Sequence, residues 1–92
     1  MRERVIERRL VSKAKHAGGQ ACKFISPGAR GVPDRLVLGS GARVAFVELK
    51  APGEVTTPLQ TKRRRQLEGL GFRVFTCDSP ESVDTFVEDF FK

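Results

Sequence analysis

The chain is 92 residues long, with 17 Lys and Arg against 11 Asp and Glu and a net charge of +6. That length fits one domain over residues 1–92 and excludes a second core, while 39% hydrophobic and 30% charged residues exclude a disordered polyelectrolyte. The apolar run Val44-Ala45-Phe46-Val47 is far below the roughly 20 residues that cross a bilayer, and the chain is charged from Arg2 onward, so an intracellular protein without a membrane span is expected.

From Arg2 to Ala17, Ile6, Leu10, Val11, Ala14 and Ala17 recur at helical spacing, and Gly18-Gly19 supplies a stop. Glu7 falls on the apolar side of that helix, whereas Arg4, Arg8, Arg9 and Lys13 lie around the rest. Cys22–Ile25 reads as a short strand, and Ser26–Pro33, rich in Gly and Pro, reads as a loop. Two β-rich runs, Asp34–Leu38 and Arg43–Lys50, flank Gly39-Ser40-Gly41-Ala42 and read as a hairpin. Thr57-Pro58-Leu59-Gln60 has the form of a helix start, with Thr57 as N-cap and Gln60 completing a capping box. That helix runs through Lys62-Arg63-Arg64-Arg65 to Leu70. Phe72–Cys77 then reads as a strand, and Ser79-Pro80 opens a final helix with Val83, Phe86, Val87, Phe90 and Phe91 inward. The order α-β-β-β-α-β-α predicts an α/β sandwich with an antiparallel hairpin and a right-handed crossover to the last strand. Cys22 and Cys77 are too few for a zinc site and are expected to be reduced.

Chemistry concentrates where the hairpin strands end. Alternate positions of a strand share a face, so Phe46, Glu48 and Lys50 point one way and Ala45, Val47 and Leu49 the other. Folding the hairpin about Ser40 and Gly41 brings Asp34 opposite Val47 and Glu48, where cross-strand Cβ atoms lie about 5 Å apart. Two carboxylates this close repel unless a proton or a divalent cation lies between them, and oxygen-only ligation, with the Leu49 carbonyl as a third donor, suits Mg²⁺ or Mn²⁺. Lys50 would orient or deprotonate the attacking water and counter charge on a phosphate. Each part also has a plain structural explanation: a same-face ion pair for Glu48 and Lys50, a turn residue for Asp34, a cap for Gln60, a solvated face for Lys62–Arg65. The convergence of Asp34, Glu48 and Lys50 favours the functional reading.

The motifs Arg30-Gly31-Val32-Pro33-Asp34, Phe46-Val47-Glu48-Leu49-Lys50 and Pro58-Leu59-Gln60 together resemble the VRR-NUC (virus-type replication-repair nuclease) family of the PD-(D/E)XK superfamily. The resemblance spans about Glu7 to Phe75. It implies a restriction-endonuclease-like core with a mixed sheet, dependence on Mg²⁺ or Mn²⁺, Asp34 and Glu48 as metal ligands and Lys50 as the catalytic lysine. The family's helix glutamate maps to Glu7, as a further ligand or holder of water, and its glutamine maps to Gln60. Family members occur as domains of repair nucleases and as short phage proteins, the latter acting in the cytoplasm of a bacterial host.

Excess positive charge calls for a polyanionic partner, with Arg30, Lys62, Arg63, Arg64 and Arg65 as candidate DNA contacts. With no recognition domain and no aromatic-rich base-reading surface, the chain has little with which to read sequence, so a structure-selective DNA endonuclease is expected. A domain this small buries only about 60 to 65% of its unfolded surface, and a homodimer covering the phenylalanines of the last helix would present two sites, as resolving four-way (Holliday) junctions requires. The alternatives are a nuclease of flapped, nicked or single-stranded DNA acting as a monomer, and a non-catalytic basic DNA-binding accessory protein.

Overall fold

The computed structural model describes residues 2–92, and its elements follow the expected order. They are α1 (Glu3–His16), β1 (Gln20–Lys23), β2 (Arg35–Gly39), β3 (Arg43–Leu49), α2 (Pro58–Gly69), β4 (Arg73–Cys77) and α3 (Pro80–Phe90). The strands form one mixed sheet in the order β1-β2-β3-β4, antiparallel except for the parallel pair β3/β4. A parallel pair needs a long crossover, and α2 lies within it.

The alternation along β3 decides which helices cover which face. Ala45, Val47 and Leu49 enter one core with Ile6, Leu10 and Ala14 of α1 and Val83, Phe86 and Phe90 of α3. Phe46 points to the other face, edge-on to Phe24 and Phe72 at 5.4 and 5.5 Å between ring centroids. The stripe on α1 is narrower than expected, since Val11 and Ala17 are exposed. Only the i, i+4 ridge meets the sheet. Cys77 belongs to the core as a free thiol that burial pushes up to about 11, which leaves it unreactive near neutral pH; Cys22 is also free and half-buried.

Three local results refine the sequence reading. β1 begins and ends two residues before the expected Cys22–Ile25, because its ladder is bounded by β2: Gln20 pairs with Leu38 and Lys23 with Arg35, after which the Phe24 amide donates to the Asp34 carbonyl at 2.9 Å. Ile25 is consequently turned to solvent. The phenylalanines of α3 lie inside this same domain, Phe86 at 4% and Phe90 at 3% exposure, so they offer no apolar face to a second copy. Finally, α2 has no buried residue. Thr57 and Gln60 form the expected capping box at its start, and polar contacts to β4 and to the Arg30 loop hold it in place.

Candidate active site

Asp34 is placed by the turn that leads into β2. Arg35 pairs with Val47 across the β2/β3 ladder, so the next step outward sets Asp34 beside Glu48. Its Oδ1 accepts the Leu49 amide at 3.0 Å, which locks the carboxylate onto the end of β3. Leu49 thus meets Asp34 through its N–H, while its side chain is in the core.

Glu48 shares a face with Phe46 and projects toward α2. Its carboxyl is pushed up from 4.5 to about 7, first by burial and then by the negative charge of Asp34 and a hydrogen bond with that carboxyl; the Lys50 ammonium opposes the rise. Glu48 therefore holds its proton to a higher pH than an ordinary carboxyl when no cation lies between the two acids.

Lys50 follows one strand step later and is the one buried charged side chain among the described residues, 7% exposed. Its backbone continues the β3/β4 ladder, with the amide donating to Cys77 O at 3.0 Å. Its Nζ donates to Gln60 Oε1 at 2.7 Å, and that same oxygen accepts the Thr57 amide at 3.0 Å. The capping glutamine of α2 thus holds the lysine as well as the helix. A cleft of about 20 Å³, with Gly31, Glu48, Gln60, Arg64 and Thr76 among its walls, opens beside the pair and has room for about one water. Gly31 narrows it from the loop side: at φ +81° it lies so close to α2 that a Cβ would come within 2.7 Å of Leu59. The structure therefore brings Asp34, Glu48, Lys50 and Gln60 together.

Glu7 is placed differently. Its Oε2 lies 2.9 Å from Arg35 Nη2, and Arg35, 11% exposed, also donates to Ala21 O at 3.0 Å. Glu7 thus pairs with the residue next to Asp34. Glu3, one turn earlier on the same helix face, is raised by burial and then by the charges of Asp34, Glu54 and Glu7, with Lys50 opposing. Sequence reasoning missed Glu3 and Glu54. The i, i+4 spacing of Glu3 and Glu7 was the available signal, since it puts both acids on one face. Among the described residues, no group of three or more His, Cys, Asp and Glu is gathered to hold a metal. Two converging carboxylates completed by backbone carbonyl and water still fit Mg²⁺, which keeps several waters when protein-bound.

The basic residues divide as well. Arg64 donates to Val74 O at 2.7 Å and to Thr76 Oγ1 at 3.1 Å, with Glu68 3.6 Å away. Arg63 donates to Arg30 O at 2.7 Å and to Gln66 Oε1 at 3.0 Å. These two guanidinium groups fasten α2 to β4 and to the Arg30 loop. Arg30, Lys62 and Arg65 are exposed.

A mixed sheet with two acids and a lysine at the ends of adjacent strands, enclosed by helices, defines a restriction-endonuclease-like domain. The chain is similar to a solved "VRR_NUC domain", with a TM-score of 0.87, 26% identity and 96% of each chain covered. It is also 49% identical over 81 residues to "Putative nuclease p44" of Acyrthosiphon pisum secondary endosymbiont phage 1, covering 88% of this chain and 87% of that protein. No family model matches the chain. On these likenesses the chain belongs to the VRR-NUC family of nucleases. No helix among the described residues is long and apolar enough to cross a membrane.

Proposed function

We propose that the protein is a metal-dependent, structure-selective DNA endonuclease that hydrolyses phosphodiester bonds inside a cell, the bacterial cytoplasm if it is phage-encoded. The observation that carries this reading is the pair of adjacent carboxyl groups of Asp34 and Glu48 beside a buried Lys50 whose ammonium is held by Gln60. Carboxylates facing phosphates would repel a substrate, so a site built around them calls for a cation. Asp34 and Glu48, with the Leu49 carbonyl, would hold Mg²⁺ or Mn²⁺, which when bound polarises a phosphoryl oxygen and makes water a better nucleophile. Within the chain, Gln60 fixes the Lys50 ammonium so that it faces developing negative charge without rotating away.

Four-way junctions are the proposed substrate if two copies assemble. The burial of Phe86 and Phe90 within one domain favours a second reading, a monomer that cuts flapped, nicked or single-stranded DNA. The decisive experiment is cleavage of end-labelled junction, flap, nicked duplex and single strand, with Mg²⁺, Mn²⁺ or EDTA, alongside light scattering. Paired symmetric cuts by a species of twice the 10.2 kDa chain mass select the junction reading. Cuts on flaps by a species of one chain mass select the second, and tight binding with no cation-dependent cleavage leaves only the accessory role.

A further inference from the structure

The cations of α1 differ in what faces them. Arg9 is joined to Asp84 of α3 through two nitrogens, at 2.9 and 2.7 Å, and Lys13 lies 3.5 Å from the same carboxylate. Arg8 and Lys15 are exposed, and among the described residues neither has a salt-bridge partner. With Ser12, His16 and Arg35 they line a groove of about 710 Å³ along the helix. Its one acid, Glu7, is already paired with Arg35. Alternation turns the Arg35 side chain to the α1 face, but Glu7, at one end of the groove, and Asp34 both act on the Glu3 carboxyl, so that end of the groove lies toward the carboxyl pair.

We propose that this groove is the track for the sugar-phosphate backbone of the DNA leading to Asp34 and Glu48, with Arg8 and Lys15 as its phosphate contacts. The proposal rests on the nuclease reading and names the surface that presents its substrate. Charge complementarity selects the occupant: the groove wall is cationic and the bound class polyanionic. Spacing agrees, because Lys15 lies seven positions after Arg8, two turns and about 10 Å along one face of the helix, so the two cations reach different phosphates of one strand, which advance about 3.4 Å each along the duplex axis. On α2 the two arginines at the centre of the basic run are tied to β4 and to the Arg30 loop and Lys62 and Arg65 are exposed, whereas on α1 the unpaired Arg8 and Lys15 line one groove.

The test is the salt dependence of binding to labelled duplex and flap DNA, measured by anisotropy without divalent cations. For Arg8→Gln/Lys15→Gln the slope of log K against log salt is expected to flatten by about 0.9 per lost contact, about 1.8 in all. Arg9→Gln/Lys13→Gln, on the Asp84 side, removes the same charge and is expected to keep the wild-type slope and cleavage rate. An unchanged slope in the first variant, or equal flattening in both, overturns the track. Preference of the wild-type protein for polyglutamate over DNA also overturns it, by making the groove a peptide site. The nuclease reading fails separately, if the wild-type protein binds DNA with the expected slopes yet never cuts under Mg²⁺ or Mn²⁺.

Discussion

Both α1 and α2 carry dense positive charge, yet the sheet holds them by opposite means. α1 buries Ile6, Leu10 and Ala14 against strands and α3, so its cations are not needed to hold it on the sheet: Arg9 and Lys13 meet Asp84 of α3, and Arg8 and Lys15 face solvent. With no buried residue, α2 is anchored by Arg63 on the Arg30 carbonyl and Arg64 on Val74 and Thr76. A basic run is therefore read correctly only after asking what else fastens its helix.

The strongest way to break this comparison is to cut the anchor of each helix in turn. Ile6→Ala removes a fully buried side chain and is expected to cost about 2–5 kcal/mol in denaturant unfolding. Arg64→Ala strips Val74 O and Thr76 of their donor and is expected to cost about 1–3 kcal/mol, with slower cleavage and an unaltered salt slope of DNA binding. If Arg64→Ala instead flattens the slope at unchanged stability, its guanidinium is a phosphate contact and the contrast between the helices collapses.

The next effect concerns the carboxyl pair enclosed between the helices. Glu48 has a folded-state value of about 7 against 4.5 ordinarily, so the folded chain keeps a proton that the unfolded chain has released. Without divalent cations, stability is expected to decline as pH rises from about 4.5 to about 7 and to level off above that. Melts across this range should show the decline in the wild-type protein and lose it in Glu48→Gln; a wild-type curve that rises there contradicts the pairing. The smallest effect lies outside both helices: Ala42 occupies the left-handed region at φ 61°, and Ala42→Gly should gain about 0.5–1 kcal/mol in the same assay.

Much of the fold was legible because each element carries a local signature. The ridge of α1, the double glycine after it, the Thr57–Gln60 box and the hairpin turn each mark a boundary without tertiary help. The meeting of Asp34 and Glu48 was legible for the same reason, since a two-residue period and one turn fix which side chains face each other. The rest depends on partners distant in sequence. Whether Glu3 or Glu7 feels the carboxyl pair is decided by where Arg35 lies, and β1 is trimmed by its neighbour β2. Periodicity also cannot reveal that Arg64 does what a leucine usually does, because polar anchoring leaves no apolar pattern.

Gln60 belongs at once to the first turn of a helix with no buried side chain and to the hold on Lys50. Local opening is cheapest where few apolar contacts are lost, so amide exchange in α2 should proceed through excursions that leave the sheet intact. Each excursion releases the lysine. Heat is therefore expected to silence this enzyme at temperatures where its circular dichroism still reports a folded β-sheet, and cooling should restore activity without refolding of the core.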